Sequence, residues 1–314
     1  MTNTQHQEAV KAAVRPKFYG HPAIKSKTVP QYPKTAEREF RRIAGAYMRL
    51  LNEELKKVLP EMMSEYAKER RGDSRFDESR DLDAKLRQLL QQVAVALERR
   101  IAEFGLDKKV EEIATMTRNT ALREWKRAVK DTLGIDLLDD YFKGDFYDEI
   151  IRRWIAENIL KIKSLPNETL GEMRQIILES YMKGRSIRDI QKEIQAQYNV
   201  SKSKAQLLAR DQVATLNAQV TKLQQQDAGC KKYRWSDSRD SRVRDCHRAL
   251  NGHVFSWDDP PEMWYETKSG RVYTGRHCHP GEDFCCRCVA IPVFDLDTID
   301  VPMQKPSKGG SGRA

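Results

Sequence analysis

No cysteine occurs in the first 229 residues of this 314-residue chain, and proline becomes sparse after the first 34. No stretch reaches the ~18 uninterrupted apolar residues that would span a bilayer. The opening Met1-Thr2-Asn3-Thr4-Gln5 has no apolar segment of the kind a secretory signal needs. Together these absences predict a soluble chain with no membrane partner, kept in the cytoplasm of the host that makes it. No internal repeat is found. A mean hydropathy of −0.73 with 32% charged residues means that any core must come from amphipathic helices. The length allows one large or two modest domains.

What is present is unevenly placed. Residues 1–42 hold nine Lys/Arg against three Glu, a net of +6 out of the chain's +10. Such a stretch suits a polyanion or an acidic protein groove, and equally a solvated terminus. Pro16, Pro22, Pro30 and Pro33 predict extended chain over 1–34, an arm that is mobile or docks on a neighbour. From Thr35, apolar residues recur at three- and four-residue spacing. Phe40, Ile43, Tyr47, Leu51 and Leu55 form one stripe that Pro60 interrupts or kinks; Leu82, Leu86, Leu90, Val93 and Leu97 form another. A third helix is expected over 108–133 with Gly134 as its stop, and further helices over 138–163 and 167–183. The polar run 71–75 reads as a linker.

Ser186 and Asp189 have capping-box spacing at the start of a helix over 187–197. A turn at 198–201 and a second helix over 202–226 superficially resemble a DNA-binding helix-turn-helix. Tyr233-Arg234-Trp235 reads as a short strand, and the chain from residue 302 as a flexible tail. The expected fold class is mainly α: an elongated N-terminal helical region followed by a small Cys/His-rich α+β C-terminal module. The expected organisation is an arm over 1–34, a helical domain over 35–184, the C-terminal domain over 185–298 and a tail over 299–314.

All six cysteines (230, 246, 278, 285, 286, 288) and four of the six histidines (247, 253, 277, 279) lie in the last 85 residues. In a reducing compartment such a cluster points to metal or to buried thiols rather than disulfides. Cys286 and Cys288 are two apart, so an extended backbone turns both thiols to one side. His247 brings an imidazole from a separate segment. Thiolate and imidazole suit a structural zinc ion. Cys230, Cys246, His277, Cys278, His279 and Cys285 are all available as the fourth donor, and Cys278 is taken to complete the set. A metal-free cluster of buried polar groups and a catalytic metal are the alternatives.

Asp240, Arg242, Arg244 and His247 form a second constellation. Arg244 and His247 are three apart and would share a helix face, with Asp240 capping that helix or pairing with an arginine. This is a buried ion-pair network, a surface for phosphate or a protein loop, or a histidine acting as general base. Gly252 and Gly281 supply backbone conformations that a side chain would forbid. Trp235, Trp257 and Trp264 are expected as anchors of a core or an interface.

Ala209-Arg210-Asp211-Gln212 falls on a helix, and Gly229 is followed by Tyr233-x-Trp235. Asp240-x-Arg242-Val243-Arg244-x-x-His247-x-x-Leu250-x-Gly252 comes next, then Asp258-Asp259-Pro260-Pro261. Pro280-Gly281-Glu282-Asp283-x-x-Cys286-Arg287-Cys288 closes the series, with Pro292 beyond. In this order the motifs resemble the head-morphogenesis region of phage Mu F-like minor head proteins, over roughly residues 185–294. Asp240, Arg242, Arg244, His247, Gly252, Pro280, Gly281, Cys286, Arg287 and Cys288 match the family's characteristic positions. Cys285 stands where a polar residue such as Asn is expected, Cys246 where Ser is usual, and His277-Cys278-His279 is an addition.

The resemblance implies a non-enzymatic virion component. It would sit in multiple copies near the portal vertex of a tailed-phage head, contacting the portal protein and the major capsid or scaffold protein. DNA is a further partner during packaging or ejection. A DNA-binding protein with a zinc module and a metal-dependent nuclease are the competing functions.

Overall fold

In the computed structural model of the chain, residues 3–71, 79–138 and 145–302 are described; the polar run at 72–75 and the tail from 303 lie outside them. The fold is mainly α with a small C-terminal sheet region, as expected. The long helices are α2 (Lys34–Arg71), α3 (Ser79–Phe104), α4 (Leu106–Leu133), α5 (Asp145–Met182) and α6 (Ile187–Asp227), preceded by α1 (Asn3–Val14). No helix among the described residues is long and apolar enough to cross a membrane.

Three expectations are corrected. Pro60 lies inside α2 and Pro166 inside α5, so neither ends a helix. An interior proline costs a helix about 3 kcal/mol. Burial on both sides offsets it: Leu55, Met62 and Tyr66 around Pro60, and Ile162, Leu170 and Met173 around Pro166. Likewise α6 passes through 198–201 without a turn. Its buried stripe of Ile190, Ile194, Tyr198, Ser201, Ala205 and Ala209 keeps three- and four-residue spacing across that point, so packing overrides the weak propensities of Asn199 and Val200. One 41-residue helix replaces the helix-turn-helix.

The third correction concerns residues 1–34. The prolines spare residues 3–14, which form α1, and Pro16 sits in the first turn of a short 3-10 helix (Arg15–Phe18), where proline is tolerated. Val10, Val14 and Phe18 share a face and are fully buried with Trp125, Val129, Leu133 and Phe294. The segment is therefore part of a core and not an extended arm. The same core takes in Ile299 and Val301, so the first residues of the expected tail are packed.

The chain forms two compact units, interleaved in sequence, whereas the sequence reading divides it consecutively. One comprises Thr35–Ile113 and Arg152–Gln212. Its regular elements among the described residues are all helices, and Tyr66 donates its hydroxyl hydrogen bond to the Arg185 carbonyl (2.8 Å). Ser186 caps the head of α6 in the expected place: its Oγ accepts from the Asp189 N–H (3.2 Å), while the Asp189 carboxylate accepts from that hydroxyl (2.6 Å). Ser186→Ala should cost about 1 kcal/mol, read as a lower denaturant midpoint at unchanged slope.

The other unit comprises Met1–Lys34, Ala114–Ile151 and Val213–Ala314. Its antiparallel sheet has the order β1 (Ala23–Lys25), β6 (Val289–Asp295), β2 (Lys232–Ser236), β3 (Val254–Ser256). A separate ribbon pairs β4 (Glu262–Thr267) with β5 (Gly270–His277), and a short helix, α7 (Asp245–Leu250), lies between β2 and β3 in sequence. Tyr233, Trp235, Trp257, Met263 and Trp264 pack with Cys246, Cys286, Cys288 and Ala290 in a second core cluster. The tryptophans are thus core anchors.

Candidate metal centre

The site forms where α7 meets the approach to β6. Trp235 pairs with Ala290 and Ser236 with Val289, which fixes the chain just before β6 beside β2. Cys286 and Cys288 lie on that approach, and His247 is the third residue of α7. The three side chains are buried, and their donor atoms lie within 4.8 Å of one another, a grouping that can hold a metal ion. His247 Nδ1 is 3.6 Å from each sulfur.

The opposite ring nitrogen is equally constrained. His247 Nε2 lies 3.1 Å from Asp283 Oδ2. Burial raises the Asp283 carboxyl, but the hydrogen bond from His247 and the charge of Arg244 outweigh it and bring the group to about 2. An ionised carboxylate only accepts, so Nε2 carries the proton and Nδ1 faces the sulfurs. Asp283 is itself clamped: Arg244 Nη1 donates to Oδ2 (3.0 Å), Arg276 Nη1 to Oδ1 (2.6 Å), and the Phe284 N–H to Oδ1 (2.9 Å). A carboxylate that fixes the tautomer and orientation of a histidine is the usual outer support of a metal ligand.

The three side chains perturb one another's protonation. The hydrogen bond from Cys288 lowers Cys286 well below the usual thiol value against burial, and His247 adds to that effect. Cys288, bonded to that sulfur and buried, is pushed far up. Burial disfavours charge on His247, yet its bonds to Asp283 and Cys286 hold it at about 9. The thiolate of Cys286 and the Nδ1 of a neutral His247 are the donor types that a soft or borderline cation takes.

Cys278 does not join the group. It follows β5, where its N–H donates to the Pro261 carbonyl (3.2 Å), and burial pushes its thiol up to about 11. His279 is engaged elsewhere, with Nδ1 2.9 Å from the Tyr233 hydroxyl and Nε2 3.2 Å from Lys222 Nζ. Asp240 does not cap α7, whose N-cap is Arg244 without a side-chain cap. It accepts instead from the Arg242 N–H (2.9 Å), and Arg287 Nη1 approaches its other oxygen at 3.5 Å. Arg242 has an exposed side chain, whereas Arg244 and His247 converge on Asp283 as their spacing suggested. Gly252 has φ +85°, and a Cβ on Gly281 (φ +90°) would meet the Ala218 side chain at 3.0 Å.

Asp283 and Arg276 were not singled out from sequence. The only signal was the place of Asp283 in the Pro-Gly-Glu-Asp motif; Arg276 had none. Asp283→Asn should weaken metal affinity about 10- to 100-fold, measured by competition with a chromophoric chelator; unchanged affinity would remove Asp283 from the site.

Residues 172–291 match the family described as Phage Mu protein F like protein. Over 167 residues the chain is 33% identical to an uncharacterised protein of Haemophilus influenzae, covering 53% of this chain and 34% of the relative. Over 175 residues it is 24% identical to Minor head protein GP7 of Bacillus phage SPP1, covering 52% of this chain and 55% of the relative. The chain therefore spans about a third and about half of these two proteins. No solved structure matches. The matched stretch contains α6, α7, the ribbon and the group that could hold a metal ion, and over residues 172–291 the chain is similar to the Phage Mu protein F like family.

Proposed function

We propose that this chain is a structural minor head protein of a tailed phage, placed in the virion near the portal vertex and acting in head assembly. The observation that carries this reading is the match of residues 172–291 to the Mu F-like family, together with the similarity to a phage minor head protein. Its partners in this reading are the portal protein and the major capsid or scaffold protein, with DNA met during packaging or ejection. It acts without catalysis, after synthesis in the host cytoplasm. Quantitative mass spectrometry of purified particles, with cross-linking, should find a few copies per head joined to the portal protein. Absence of the chain from intact particles would overturn the proposal.

Within that protein, His247, Cys286 and Cys288 hold a structural zinc ion. A tetrahedral zinc with Zn–S of about 2.3 Å and Zn–N of about 2.0–2.1 Å sets its nitrogen and sulfur donors about 3.6 Å apart. The two Nδ1–sulfur separations here are both 3.6 Å. All three donors are buried, which suits an ion that ties two segments together, and the group itself supplies three of the four positions of a tetrahedral zinc. The zinc staples α7 to the approach to β6.

A further inference from the structure

The clamp on Asp283 has an outer side that the metal site does not use. Phe284 follows Asp283 directly and is 66% exposed, in a module whose other large side chains are mostly buried. Its backbone is held on both sides. Its N–H donates to Asp283 Oδ1 (2.9 Å), and its carbonyl accepts from Arg244 Nη2 (2.6 Å). The Arg276 guanidinium lies over the ring, 5.0 Å from its centroid. Asp283, which anchors both arginines, is almost wholly buried, while each arginine keeps 44% of its side chain exposed.

We infer that the Phe284 turn, flanked by Arg244 and Arg276, is a docking knob for another head protein, one that presents an apolar pocket rimmed by carboxylates. The inference rests on the reading of this chain as a head component. Leaving a phenylalanine in water forgoes most of what its burial would contribute. A side chain whose backbone is already fixed loses little further entropy on binding. Aromatic residues and arginine dominate the energetic centres of protein interfaces, where lysine is depleted. The ribbon that supplies Arg276 extends the same composition, with Tyr265 and Tyr273 more than half exposed.

Charge decides the class of partner. Two guanidinium groups share one carboxylate at Asp283, which leaves an excess positive charge at the surface. Exposed Asp245 and Glu282 lie close by in sequence, so the neighbourhood is of mixed sign rather than the uniformly positive surface that tracks a phosphate backbone. A protein rim of carboxylates and hydrogen-bond groups answers that mixture, and the ring requires an apolar pocket.

The test is incorporation of Phe284→Ser and Phe284→Leu into particles, counted by mass spectrometry beside the wild-type chain. Unchanged melting would verify the fold of each variant. Phe284→Ser should fall about tenfold in copies per particle, equivalent to ~1.4 kcal/mol of docking free energy, and Phe284→Leu should stay close to wild type. Incorporation of Phe284→Ser at the wild-type level overturns the knob and leaves the head-protein reading intact. Loss of duplex-DNA retention by Phe284→Ser, with incorporation unchanged, overturns it in favour of a nucleic-acid surface. Absence of the wild-type chain from particles removes the head-protein reading and this inference with it.

Discussion

Cys286→Ser, Cys288→Ser and His247→Ala are each expected to abolish metal binding and to lower the stability of the C-terminal module by several kcal/mol. The donors sit inside the cluster built on Tyr233, Trp235, Trp257 and Trp264, so losing one also leaves buried polar partners without a counterpart. Breaking a buried charge pair by removing one member costs about 3–5 kcal/mol. Bound zinc adds its own binding free energy, which is folding free energy because no preformed site exists in the unfolded chain. Elemental analysis of the purified wild-type chain should find about one zinc. A strong chelator should lower its melting temperature, and the three variants should melt low with no response to chelator or added zinc. Cys230→Ser is the control: Cys230 is buried in the other core cluster, so this variant should retain the metal and the response. A wild-type chain that purifies without metal and melts identically with zinc and with chelator would rule the centre out.

The grouping of His247, Cys286 and Cys288 is legible in the sequence because its chemistry is local. A Cys-x-Cys pair and a distant histidine stand out by type and spacing, and the motif order around them resembled one family. The fourth choice, Cys278, was not legible, because it depends on which way the chain leaves β5. Asp283 escaped for a related reason: its task is set by the two arginines and the imidazole that tertiary folding gathers around it. Cys285 is instructive from the other direction. It adopts φ +51°, a left-handed conformation that Asn tolerates better than most residues, and Asn is the residue the family resemblance led one to expect there. In the helical unit, the apolar stripes gave the helices, but proline and Asn-Val signals broke them too often. Those signals are local, whereas the stripes that override them are read by packing partners far away in sequence.

Deletion of residues 1–33 is expected to destabilise the Met1–Lys34, Ala114–Ile151 and Val213–Ala314 unit strongly. Val10, Val14 and Phe18 are each 1% exposed or less. At ~1.5–3 kcal/mol for each buried side chain, their removal forfeits roughly 5–9 kcal/mol before any cavity cost. A whole domain is stable by only about 5–15 kcal/mol. The deletion also strips β1 from the edge of β6, together with the bonds from the Ser26 N–H to the Pro292 carbonyl (3.0 Å) and from the Leu296 N–H to the Pro22 carbonyl (2.9 Å). Each kcal/mol moves the melting point of a domain of this size by about 2–4 °C, so calorimetry should show a fall of at least ~10 °C or loss of the cooperative transition. An extended basic arm would instead leave melting unchanged on deletion. Two point variants separate the cases without shortening the chain. Val14→Asp places a carboxylate in the apolar cluster and should reproduce most of the loss, whereas Lys25→Gln removes only exposed charge and should leave melting where it was. The reverse pattern, Val14→Asp tolerated and the deletion harmless, would return residues 1–33 to the status of an arm.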